Sequence, residues 1–176
     1  AITGLLSSTC YDFYLTSYCG GTIGNSTGLF TFCTTCGPKP APFFEGFEST
    51  AVGSTTNMTV PSCWSIFEKG PGTAYGYTTS TATYVRTGSR AFYAYCAGGV
   101  VDTLMMISPE VVGMDSTYKQ IELWAKAIST STTYSNKLII GTVSSPTNPG
   151  SFDPLYTLII GTNTTYQYFK TFLFQR

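Results

Sequence analysis

From residue 43 onward, apolar and polar positions alternate in short runs. FFEGFES opens the series, followed by PSCWSIFEK, ATYVRTGSRAFYAYC, VVDTLMMISPEVV, KQIELWAKAIS, NKLIIGTVSS, PLYTLIIGT and TYQYFKTFLF. A period of two puts every second side chain on one face of a pleated ribbon, so each run predicts a strand. The separators KGPGTAYG, CAGG, GMDST, SSPTNPGSFDP and GTNTT carry the Gly, Pro, Asn and Asp that turns demand. KQIELWAKA is built of good helix formers, yet its Ile121, Leu123, Ala125 alternation and its length predict a strand. Short strands at this spacing predict an all-β antiparallel sandwich or jelly roll.

The segment CGPKPAP at 36 to 42 is read as a stiff extended connector, because its prolines suit neither a helix nor a central strand. Ahead of it, CYDFYLTSY places Tyr11, Phe13 and Leu15 on one face. GGTIGNSTG then reads as a turn and LFTFCTTC as a returning strand. Two strands cannot bury a core alone in water. Residues 1–37 are therefore expected to be the closing strands of a larger domain, 38–42 a linker and 43–176 a second domain, itself expected to lack its last strands.

Composition sharpens this picture. Only 10% of the 176 residues are charged and the formal net charge is zero, whereas about 25% charged is ordinary. No electrostatic field favours nucleic acid, and no apolar run is long enough for a transmembrane segment. The 13 Tyr and 12 Phe favour strands. Six cysteines in so short a chain predict an oxidising, extracellular compartment. Cys33 and Cys36 have the spacing of a zinc or redox pair, but there is no His and no second such pair, and Gly37-Pro38 denies the helix a redox motif needs.

The stretch ITGLLSSTCYDFYLTSYCGG followed by GLFTFCTTC resembles the last strands of a fibronectin type III module. That resemblance implies a tyrosine corner, with Leu5 or Leu6 before the turn and the Tyr11 hydroxyl bonding back to nearby backbone. Such modules span about 100 residues, so only part of one is expected here. Pairing of the two strands around the Gly-rich loop puts Cys10 opposite Cys36, a bridge expected to contribute about 2–4 kcal/mol. Six cysteines leave other connectivities open.

The order of PFFEGFES, PSCW, GSRAFYAY, LMMISPEV, KQIELWAKA, LIIGTVSSPTNPGSFDPLYTL and TYQYFKTF is similar to that of the MAM-like, or cleaved-adhesin, jelly-roll modules of Bacteroidetes surface proteins. The resemblance covers 43–176. With the first resemblance, it implies a fibronectin type III-like partial β-sandwich followed by an antiparallel jelly-roll β-sandwich; by itself it implies export by type IX secretion and a part in adhesion or a surface layer. It also implies that an acidic residue of the opening motif helps hold a structural calcium; Glu48 matches best, with Glu45 second. The alternative reading makes Glu48 a surface residue on an edge strand. Calcium needs about 6–8 oxygen ligands, and no dense acidic loop supplies them. No other cofactor is expected.

Catalytic constellations are not legible. Without His there is no Ser-His-Asp or Cys-His arrangement. A glycosidase needs two carboxylates about 5–10 Å apart across a cleft, and nothing marks any two of the nine acidic residues as partners. The chain is therefore read as a non-enzyme. Trp64 is expected in the core. Trp124 stands beside Leu123, so one of the two must face outward; if it is Trp124, it is the best ligand platform, with the tyrosines of TAYGY and YQY behind it. Sequons occur at Asn25, Asn57 and Asn163, and Thr103 and Ser116 fit the O-glycosylation pattern of the resembled lineage. Expected partners are other domains of the same polypeptide and surface glycans or proteins. A carbohydrate-binding module, or an accessory region of a secreted hydrolase, is the alternative function.

Overall fold

Fourteen strands and one 3₁₀ turn (Pro149–Ser151) make up the regular structure of the described residues. In the computed structural model these are residues 2–70, 73–96, 102–114, 119–130 and 136–172. The protein is all-β. It divides into two compact units, Ala1–Gly37 and Pro38–Arg176.

The first unit holds β1 (Cys10–Phe13), β2 (Thr16–Cys19), β3 (Thr22–Ser26) and β4 (Phe30–Cys33). The segment GGTIGNSTG is thus more than a turn. Gly20 and Gly21 both take positive φ between the paired Cys19 and Thr22, the condition for a two-residue type I′ hairpin, and Thr22–Ser26 continues as a strand. The predicted strand from Cys10 to Tyr18 is accordingly two strands, each with its own partner.

Pairing of β1 with β4 corrects the expected disulfide. Cys10 lies opposite Cys33 and is bonded to it, not to Cys36. The aromatic residues decide the register. Tyr11 opposes Phe32 and Phe13 opposes Phe30, with ring centroids 5.9 and 5.3 Å apart, and Phe13 also meets the edge of Phe32. Setting Cys10 against Cys36 would slip β4 by an odd number of residues, which carries its aromatics to the other face. On the face shared with the disulfide, the Thr31 hydroxyl donates to Asp12 at 2.6 Å. Cys36 is disulfide-bonded as well, as is Cys63; Cys19 and Cys96 are free and exposed. The hydroxyl of Tyr11 accepts the Leu6 N–H at 2.8 Å, the backbone bond expected of it.

The second unit holds β5 (Lys39–Pro40), β6 (Ser65–Lys69), β7 (Ala74–Thr79), β8 (Ala91–Cys96), β9 (Thr103–Ile107), β10 (Val111–Val112), β11 (Gln120–Ala125), β12 (Lys137–Thr142), β13 (Asp153–Ile159) and β14 (Gln167–Phe172). They pair as β5–β10, β6–β9, β7–β8, β11–β14 and β12–β13, all antiparallel except the first. The proline segment is not a bare connector. Its Lys39 N–H donates to the Glu110 carbonyl at 2.8 Å, while Pro40, with no N–H, sits where a strand needs none.

Two further expectations change. FFEGFES is irregular rather than a strand: Phe47 has a left-handed φ of 65°, its N–H goes to the Glu45 carboxylate at 2.5 Å, and its carbonyl accepts from Thr50. The AYGY stretch, read as a separator, is the start of β7. Its Gly76 is there for space, since a Cβ would lie 2.6 Å from the Phe92 ring and 2.7 Å from a Leu104 methyl.

The core of the second unit lies on this inner face. Ala74, Gly76 and Thr78 of β7 are buried, with Ile107 at the end of β9 and Ala127 just after β11. Thr78 is fully buried and satisfied, its N–H meeting the Thr59 carbonyl and hydroxyl at 3.1 Å. Trp64 is half-buried between Phe43 and Phe47, and Phe47 stacks on Phe92 at 5.8 Å. The opening motif, PSCW and GSRAF therefore converge on one aromatic cluster.

Candidate functional site

Alternation decides what β11 and β14 present. Ile121, Leu123 and Ala125 turn inward, and with them Phe169 and the buried Thr171; Gln120, Glu122 and Trp124 turn outward. The antiparallel register then sets Trp124 against Tyr168, Glu122 against Lys170 and Gln120 against Phe172. The three aromatics are 44%, 47% and 38% exposed, respectively Trp124, Tyr168 and Phe172. One sheet face thus carries aromatics at opposite ends with a polar middle.

The pieces of this face hold one another. The Trp124 and Tyr168 rings lie 5.2 Å apart, tilted by 46°. The Arg86 guanidinium, from the loop between β7 and β8, covers one face of Trp124 at 3.6 Å from the ring centroid, a cation–π stack. Lys170 Nζ stands 3.6 Å from Glu122 Oε1 and 5.8 Å from the Phe172 ring centroid. Gln120 donates to Glu122 at 2.6 Å. Desolvation, with the hydrogen bond and negative charge of Glu122, holds the Tyr168 hydroxyl above its usual pKa. Trp124 is where its alternation with Leu123 allowed. Arg86, Glu122, Lys170 and Phe172 were not singled out from the sequence, although the alternation in YQYFKTF marks the last two as sharing a face with Tyr168.

The other tyrosine candidates do something different. Tyr75 opposes Tyr95 and Tyr77 opposes Tyr93 across β7 and β8, with ring centroids 5.0 and 5.3 Å apart, and Tyr84 adds to the row at 5.1 Å from Tyr93. Their ring faces are occupied by each other, so they form a ladder rather than an open platform. Burial pushes the Tyr93 hydroxyl up to about 12, with its tyrosine neighbours adding to the effect. Tyr166 donates its hydroxyl to the Tyr84 carbonyl and lies under Lys126 Nζ at 5.1 Å.

Glu48 and Glu45 are not brought together as ligands. The Glu48 carboxylate accepts the Ser89 hydroxyl at 2.7 Å, the Ser89 N–H at 3.1 Å and the Arg90 N–H at 3.2 Å. The Ser89 hydroxyl and N–H hold its pKa below the usual carboxylate value. Glu45 is turned to the Phe47 N–H. Donors rather than oxygens face both carboxylates, and among the described residues no group of three or more His, Cys, Asp or Glu could hold a metal ion. This donor set does not fit calcium.

Thr103 is exposed at the start of β9, opposite Lys69; Ser116 lies outside the described residues. Among the described residues no helix is long and apolar enough to cross a membrane. No protein-family model, curated protein or solved structure matches this chain.

Proposed function

We propose that this chain is a non-catalytic module of a secreted or cell-surface multidomain protein, acting in adhesion or surface-layer structure. The observation that carries the reading is the outward face of β11 and β14, where Trp124 and Tyr168 stand exposed on a regular strand pair instead of in a cleft. A sheet face offers contact area and rigid aromatic anchors, which binding uses. It does not enclose reacting groups from water, which catalysis needs. Disulfide bonding of Cys10, Cys33, Cys36 and Cys63 supports an oxidising compartment. The fibronectin-like and jelly-roll resemblances belong to the same proposal, with Trp124 as its ligand-facing residue and Thr103 and Ser116 as sites for attached sugar.

The second reading, a carbohydrate-binding module or accessory region of a secreted hydrolase, is favoured by the same aromatic pair. The test of the first is surface display. Antibody against residues 1–176 should label intact, unpermeabilised cells of the source organism, and the purified chain should bind their surface. Labelling only after permeabilisation would overturn the proposal.

A further inference from the structure

We infer that the outer face of β11 and β14 is a binding strip for a neutral oligosaccharide chain, lying along β14 from Tyr168 to Phe172. The inference rests on the adhesive reading above and names the ligand of that face.

The arrangement of polarity selects the ligand. A protein-binding patch gathers its apolar anchors at the centre and keeps polar groups at the rim. Here the order is reversed: Trp124 and Tyr168 at one end, Phe172 with Gln120 beside it at the other, and the Glu122–Lys170 pair between them. A sugar chain fits that order. Each ring offers an apolar C–H face to an aromatic, and a rim of hydroxyls that both donate and accept. Glu122 supplies acceptors, Lys170 supplies donors and Gln120 supplies both.

Charge points the same way. Glu122 and Lys170 neutralise each other at 3.6 Å, which leaves the Arg86 guanidinium on Trp124 as a lone positive charge of this face, and the chain as a whole has zero formal net charge. One cation is too little to hold a polyanion or an acidic membrane, which need a cluster of them. Distance sets the ligand's size. Tyr168 and Phe172 are four residues apart on one strand, about 13 Å, so no single hexose ring reaches both and a short chain does. Arg86 contributes order: stacked on Trp124, it fixes the ring before binding and lowers the entropy lost on contact.

The test is calorimetric titration of the full chain with cellohexaose, xylohexaose, mannohexaose and chitohexaose, each beside its monosaccharide. At least one hexaose should bind more tightly than its monosaccharide, with affinity nearly independent of salt. Trp124→Ala should weaken it at least about tenfold and Trp124→Phe less. Both variants should still melt cooperatively, Trp124→Ala at a lower temperature because it loses its contacts with Arg86 and Tyr168. Absence of binding to all four hexaoses, or equal binding by Trp124→Ala, overturns the inference. Adhesion separates it from the reading beneath. A chain that binds cell surfaces equally before and after enzymatic removal of their glycans refutes the sugar strip while leaving adhesion standing; a chain that binds neither surface refutes both.

Discussion

Glu48 and Ser89, 41 residues apart in sequence, are joined through both the hydroxyl and the backbone N–H of the serine. The carboxylate ties the irregular opening segment to the turn that leads into β8, beside the Phe47–Phe92 stack. Local strand pairing does not make this connection, since residues 43 to 48 belong to no strand.

Acid should loosen this clamp. The folded-state pKa of Glu48 lies below the ordinary 4.5, so its stabilisation is complete above that value and is lost as pH falls through the folded pKa. Melting temperatures measured against pH should show Glu48→Gln below the wild type at neutral pH, with the two curves converging in acid. Parallel curves throughout would mean that the charge of Glu48 contributes nothing.

Gly88 should resist substitution. It takes a φ of +73°, and a Cβ there would fall 2.2 Å from Glu48 Oε1. Gly88→Ala is expected to lose about 1–2 kcal/mol from the left-handed backbone alone, and more as the carboxylate is displaced. Urea denaturation measures it, and combining the change with Glu48→Gln should give less than the sum of the two.

At the alkaline end, Tyr93 sets a second limit. Its pKa is raised from 10.0 to about 12, so the stability it contributes is present below pH 10 and disappears as pH rises through 12. Tyrosinate absorbance followed during base titration should show a late-titrating fraction that Tyr93→Phe removes.

Replacing Cys10 and Cys33 together by Ser should destabilise the first unit by about 2–4 kcal/mol, given a closed loop of sequence separation 23. Peptide mapping without reductant should recover these two cysteines in one linked fragment; a Cys10–Cys36 fragment would contradict the register.

Chelation should change nothing. With Glu48 already engaged by three donor groups and Glu45 by one, EDTA is expected to leave the melting temperature where it was. A drop restored by calcium would show that the carboxylates turn toward a cation.

The strand content was legible because side-chain alternation is local: Ile121, Leu123 and Ala125 are enough to turn Trp124 outward. What stacks on one face of it was not, because Arg86 arrives from a loop far earlier in the chain. Gly76 misled for a related reason. Glycine signals a turn when only neighbours in sequence are considered, and here it makes room for Phe92 and Leu104 from other strands. The Cys10 partner depended on register, and register was set by aromatic pairs whose partners lay across the sheet. Phe47 left the expected strand because its backbone groups found side-chain and turn partners instead of a ladder.

The direct opposition of Cys10 and Cys33 gives the first unit a chemical proofreader. A one-residue slip of β4 sends the two thiols to opposite faces, where they cannot join. Formation of the Cys10–Cys33 bond therefore selects the alignment that pairs the aromatic rings over those one residue away.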